Sequence, residues 1–376
     1  MNKITKIFFL SLLLYTLQTL YALAQLVPDF RVNDDTTNRS QYNGRIGFDS
    51  LGQFTIVWED YRNNKGNIYC QRFNSNGTFS GINFRINVNP DSSSLPGISV
   101  TRNGNFGVCW LEINSHISNS SKMKCRLYKY DSSPITGEIL LNDSTGNFHT
   151  LPSIEVNRSN EYIIAWNQKG ILYQMIDSVG NKIGNNILVN DNTVFAGQGD
   201  PAVNVRKDGN FIITWSDTRP PSSGNSDDIY FQMFDSMGNP IGLNQKVNDD
   251  ISTANQQRYP KISSDTTNKF IIAWHDNRES FNSTQFYGQN YLSTGVKDGI
   301  NFRLYSSSNK IGALQLVKKE DGKYLVGWDE DIGSTSTLYF QRYDSSNIKI
   351  GLKKIVSTQS LSTSKRKWYP GSGRKT

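Results

Sequence analysis

The stretch WEDYRNNKGNIYCQRF, Trp58 to Phe73, joins a tryptophan, an acid, an arginine and a strand-like run. It is either one piece of a site or one copy of a repeated element. The rest of the chain decides between them. Tryptophans recur at 58, 110, 166, 215, 274 and 328, at spacings of 52, 56, 49, 59 and 54. Each closes a similar run: FTIVW, FGVCW, YIIAW, FIITW, FIIAW and YLVGW. A fixed period of this length marks repeat architectures. Alternation with period 2, as in Phe54, Ile56 and Trp58 against Thr55 and Val57, marks a strand.

Both faces of that strand are largely apolar, so it must be covered on two sides; a sheet with one wet face would place polar residues at every second position. Upstream lies a short strand entered at or near a proline, in LPGISV, LPSIEV, DPAVNV and YPKIS, a position where the missing N–H costs no ladder bond. The two are joined by turns such as DSLGQ, RNGN, KDGN and EDGK, whose Asp, Asn and Gly suit positive φ. Downstream come a third strand (NIYCQRF, KMKCRLYKY, ILYQMI, DIYFQMF, TLYFQRY), a turn with glycines four apart (GTFSG, GNKIG, GNPIG), and a fourth strand (NFRIN, NILVN, QKVND). Four antiparallel strands per unit, six units and two covered faces predict an all-β fold, a β-propeller of six four-stranded blades, with seven as the alternative. The repeats fall at about 41–90, 95–142, 151–190, 201–249, 259–305 and 311–357 within a propeller of residues 25–357. PDFRVN (Pro28 to Asn33) is a further copy of the fourth strand, and KWYPGSGRKT resembles the entry of another repeat. Either the N-terminal copy clips onto the last blade, or a seventh blade has lost its middle.

The first 24 residues combine a basic start, an apolar run and Ala22-Leu23-Ala24, the pattern of a cleaved export signal. The mature chain is therefore expected outside the cytoplasm, secreted or periplasmic, without a membrane span and as a monomer. Residues 358–376 are read as a basic tail or the start of an incomplete repeat. The net charge of +7 owes much to Lys3, Lys6 and the five cations of SKRKWYPGSGRKT; the middle is nearly balanced, and no basic stripe interleaved with aromatics points to nucleic acid. His116, His149 and His275 lie far apart and no C-x-x-C or H-E-x-x-H occurs, so neither a metal site nor a cofactor is expected. Cys70, Cys109 and Cys125 read as small buried residues, with a Cys109–Cys125 bridge between neighbouring strands geometrically open.

Alternating connections place the tight turns on one face of the ring, and the second-to-third loops and inter-blade links on the other. WEDYR belongs to the long-loop face and recurs as WSDTR and WHDNR. Asp60 and Arg62, Asp217 and Arg219, and Asp276 and Arg278 are thus candidates twice over. Two apart on an extended chain, each pair points one way and ties down its own loop or the next blade; alternatively, the three arginines converge on an anionic ligand. Tyr42 and Tyr259, with Tyr369, stand near blade entries as candidate ligand contacts. The tryptophans read as packing between blades.

The unit F-x-I-x-W-x-D-x-R…D-I-Y-x-Q-x-F-D-S-x-G-x-x-x-G-x-x-x-x-V-N, clearest in Phe211 to Asn248, resembles the repeats of secreted bacterial sialidase-like (BNR-type) propellers of cell-surface or adhesin type. The resemblance covers residues 28 to 357 and implies fold and compartment. Such propellers include enzymes and binders. The sialidase Asp box, S-x-D-x-G-x-x-W, places tryptophan three residues after glycine; here the distance is six, as from Gly209 to Trp215. The F-R-I-P motif has its nearest counterparts in Phe84-Arg85-Ile86-Asn87 and Phe30-Arg31-Val32-Asn33, both on fourth strands. No acid stands outside the repeat pattern as a catalytic residue. The sequence thus predicts a non-catalytic propeller that binds a protein, glycan or cell-envelope ligand through its long-loop face, with a divergent exo-sialidase or glycoside hydrolase as the alternative.

Overall fold

In the computed structural model the described residues are 30–113, 121–143, 152–191, 197–219, 227–251, 255–279 and 285–360. They form a six-bladed β-propeller without helices, each blade a four-stranded antiparallel sheet in chain order. We number the blades 1 (residues 41–85), 2 (92–140), 3 (153–188), 4 (199–246), 5 (257–306) and 6 (310–360). The innermost strands, Gln41–Phe48, Ser92–Val100, Ser153–Val156, Gly199–Val205, Gln257–Ser264 and Lys310–Lys318, pack successively around the axis. The export segment 1–24, His116, His149 and Tyr369 lie outside the described residues.

The second strands supply the cores, because period 2 sends alternate residues to the two neighbouring blades. Between blades 4 and 5, Ile212, Phe231 and Met233 meet Ile262, Phe270, Ile272 and Trp274. Trp110, Trp166, Trp215 and Trp274 are fully buried, and Trp58 and Trp328 nearly so. Each such aliphatic or phenyl side chain contributes roughly 1.5–3 kcal/mol relative to exposure. The third-strand glutamines staple the outer strands: Gln232 Nε2 donates to Met233 O, Ile241 O and Gly242 O, while its Oε1 accepts from Asn244. The second glycine of GNPIG, Gly242, has φ +71° at this outer bulge, which accounts for the four-residue glycine spacing.

Five inner strands share another bulge. Register shifts between Tyr42 and Arg45, Ser94 and Gly97, Gly199 and Ala202, Arg258 and Lys261, and Gly312 and Gln315 leave one residue of each at positive φ. These are Asn43 (54°), Leu95 (55°), Asp200 (52°), Tyr259 (55°) and Ala313 (46°). Three of them precede a proline, which itself disfavours helical-type conformations. Strain of this kind persists only where the surroundings over-determine it.

Among the described residues the six blades share five inter-blade cores of this kind: 1–2, 2–3, 3–4, 4–5 and 5–6. On the side of blade 6 that no other described blade covers, Val317, Leu325 and Leu338 are exposed; on the matching side of blade 1, Ile46 and Phe48 are. The N-terminal copy of the fourth strand does not join the last blade, whose own fourth strand (Lys349–Ser360) is in place. It lies on blade 1 instead. Phe30 packs on Phe73 and Phe79, Asn83 Nδ2 donates to Val32 O, and Asp34 N donates to Asn83 Oδ1. The same contacts join Val189 and Asp191 of blade 3 to Asn244 of blade 4. The N-terminal segment therefore holds on blade 1 the place that a preceding blade's outer strand holds elsewhere.

Candidate functional site

At the long-loop face the three Asp–Arg couples have one geometry. Asp217, fully buried, accepts from Trp215 Nε1 (2.9 Å) and from the backbone N, Nε and Nη2 of Arg219 (2.9, 2.9 and 2.6 Å). The same guanidinium donates through Nη1 to Asp191 of the preceding blade's exit and lies 4.0 Å from the centre of the Tyr230 ring. Asp60 and Arg62 repeat this with Trp58, Asp34 and Tyr69. Asp276 and Arg278 do so with Trp274, Asp249 and Tyr287. Burial opposes the charge of Arg62 and Arg278, but the paired carboxylates outweigh it and hold both guanidinium groups above their ordinary pKa. Each of these arginines meets two carboxylates and a tyrosine ring, so the couples form clasps between a strand end and the preceding blade or, in blade 1, the N-terminal segment.

Where aspartate is replaced by the longer glutamate, the clasp is rebuilt with lysine. Glu112 pairs with Lys124 (2.6 Å), and Glu330 accepts from Ser307, Asn309, Tyr305 and Lys353. Lys353 Nζ lies 3.8 Å from the Tyr339 ring centre, replacing the arginine stack. Burial raises the Glu330 pKa, but these donors overcome it and bring it down to about 2. The indole N–H groups of Trp110 and Trp328 lose their acceptor in the exchange.

The two tyrosine candidates sit at the bulged blade entries. Tyr42 is exposed and meets Tyr61 edge-on, whereas Tyr259 meets His275 edge-on at 5.3 Å. Beside Tyr259 is a group that the sequence reading passed over. Asp200 takes the bulge position that holds Leu95 in blade 2 and Ala313 in blade 6; Lys261 takes the place of Gly97 and Ala202. Ser216 Oγ donates to Asp200 Oδ2 at 3.3 Å, and Arg258 Nε donates to Asp227 Oδ2. Asp200, Arg258 and Lys261 are half-buried, and Asp227 is buried. Burial pushes the Asp200 carboxyl up to about 6 against the pull of Lys261. Burial also raises Asp227, opposed by Arg258. Lys261 comes down to about 8 through burial and the nearby Arg45 charge, and His275 falls to about 3, hence neutral. The available signal was the charge of Asp200, at a bulge position where blades 2 and 6 place Leu95 and Ala313.

Glu155, on the inner strand of blade 3, is raised by burial to about 7 from an ordinary 4.5. A raised folded-state pKa gives stability that is complete below pH 4.5 and lost as the pH climbs through 7. Glu155→Gln is therefore expected to gain on the native chain across that window, by roughly 2–3 kcal/mol at its upper end. Urea unfolding at pH 5 and pH 8 reads the difference; an equal effect at both values rejects it.

Among the described residues no group of three or more His, Cys, Asp or Glu side chains is arranged for a metal ion, and no helix is long and apolar enough to cross a membrane. Cys109 and Cys125 are directly opposed on neighbouring strands; all three thiols are free and buried, and burial raises the Cys109 pKa to about 12.

The class defined by this fold is the β-propeller. No family model and no curated protein matches the sequence. Among solved structures, the chain is similar to a protein of unknown function from Dyadobacter fermentans DSM 18053, with a TM-score of 0.54, 8% identity, and coverage of 80% of this chain and 93% of that one. The β-propeller domain of the Trilobed protease from Pyrococcus furiosus, described as having an open velcro topology, gives 0.47 at 10% identity over 86% and 98% of the chains. The GH93 α-L-arabinofuranosidase of Fusarium graminearum gives 0.47 at 9% identity over 67% and 80%. Likeness at these identities concerns the fold alone.

Proposed function

We propose that the protein is a binding propeller that seats a hydroxyl-rich ligand, a glycan or glycan-bearing envelope component, at the long-loop end of its channel. The contacts are Asp200, Asp227, Arg258, Lys261 and the Tyr259 ring. The observation that carries this reading is the gathering of half-buried charged groups on two strained inner-strand bulges, where sister blades carry Leu95 and Ala313. Convergent polar groups beside an aromatic ring suit sugar hydroxyls. Export from the cytoplasm, a monomeric state and descent from sialidase-like repeats belong to the same proposal.

Glycoside hydrolysis is the second reading, favoured by the presence of two carboxylates, Asp200 and Asp227, in the group. Burial pushes Asp200 up to about 6, so it keeps part of its proton near neutrality, and burial also raises Asp227 against the opposing charge of Arg258. A glycan array and a fluorogenic glycoside panel on the full chain separate the two. Binding without turnover, weakened at least tenfold by Lys261→Ala, supports the first. Turnover abolished by Asp200→Asn in a folded protein supports the second. Neither binding nor turnover on any member overturns both.

A further inference from the structure

At the tight-turn end of the channel, three other cations converge. Arg102, Arg158 and Lys207 each stand second in the first hairpin turn of blades 2, 3 and 4. The turns are closed by hydrogen bonds from Gly104 N to Thr101 O, Asn160 N to Asn157 O and Gly209 N to Arg206 O. Blades 1, 5 and 6 carry Ser50, Thr266 and Glu320 at that position. The three cations line one depression of about 430 Å³, together with Asn103, Asn160 and Arg206, and no carboxylate lines it. Arg206 is held by Asp208 (2.5 Å) and by Ser293 O (2.6 Å) and forms a fixed part of the wall. Arg102, Arg158 and Lys207 are exposed and have no ion-pair partner among the described residues. The contrast with Arg62, Arg219 and Arg278, which are fully engaged, is complete.

Like charges brought together in a concavity without counter-charges repel one another and raise the local potential, which concentrates anions. Guanidinium groups recognise carboxylate, phosphate and related oxyanions through paired N–H donors. The volume is within the usual range for small ligands. We propose that this depression binds a compact oxyanionic ligand with two or more negative charges: a phosphate ester, a sulfate ester or an oligouronate. The site is on the opposite face from the channel mouth proposed above and stands independently of it.

Isothermal titration of the full chain at low salt with inorganic pyrophosphate, a disulfated disaccharide and an oligouronate tests the proposal, and the preferred probe identifies the source of the charge. At least one is expected to bind, to lose tenfold or more in affinity with Arg102→Ala plus Arg158→Ala, and to weaken as salt rises. Lys349→Ala, an exposed cation on the outer strand of blade 6, is expected to leave binding unchanged. Circular dichroism reports the fold, and Lys207→Glu repeats the test if the double variant unfolds. No binding by any probe, insensitivity to the turn cations, or equal loss with Lys349→Ala overturns it.

Discussion

Asp217→Ala is expected to lower stability by roughly 3–5 kcal/mol, the usual cost of breaking a buried ion pair from one side. The carboxylate has no exposed surface and accepts five hydrogen bonds, the fifth from Gln198 Nε2. Its removal strands the Trp215 indole N–H and leaves the mostly buried Arg219 with the half-exposed Asp191 as its ion-pair partner, beside Asn244 and the Tyr230 ring. Asp217→Asn keeps an acceptor for the indole and is expected to lose less. Truncating the outer arm of a clasp, as in Asp34→Ala, is expected to cost about 1 kcal/mol or less, as for a solvent-exposed pair. Denaturant unfolding measures all three. A loss of under about 1 kcal/mol for Asp217→Ala would mean that the clasps do not hold the blades.

A second large effect separates equivalent positions on neighbouring blades. Ile271 of blade 5 and Leu325 of blade 6 both follow the aromatic residue that opens the second strand and both point towards the next blade. Ile271 is 0% exposed within the core shared with blade 6, whereas Leu325 is 37% exposed. Ile271→Ala is expected to cost roughly 2–5 kcal/mol through lost transfer energy and the cavity left behind. Leu325→Ala is expected to cost about 1 kcal/mol or less. Similar losses at the two sites, in the same unfolding assay, would show that blade 6 has a partner on its outer side in solution.

The blade was legible because strand period fixes which residues face which neighbour, and Phe-Ile-Ile-Thr-Trp leaves neither side for water. The clasp was half legible. Aspartate and arginine two apart face the same way, but the distal arm, Asp191 for Arg219, lies 28 positions upstream and is brought near only by the fold. Asp200 and Lys261 were not legible as a site. A charge at a strand entry reads as solvated until a bulge turns it back over its own blade, and that bulge leaves only Asp-Pro and Tyr-Pro as its trace. Arg102, Arg158 and Lys207 were hidden the same way, in turns whose composition announces exposure. The fourth-strand copy at Phe30–Asn33 was recognisable, but its address was not, because Asn83 sets it through two hydrogen bonds.

Among the described residues no sixth core joins blade 6 to blade 1, and this changes what kind of object the ring is. In a closed circle every blade has two neighbours, and releasing any one means parting two joints. Here the blades behave energetically as a curved row with two ends, in which each unit leans on its nearest neighbours. One end is tucked under the Phe30–Asp34 strap, while the other, blade 6, is held from one side. Loss of order is then expected to start at the sixth blade and travel towards the first, like a zip with a single slider.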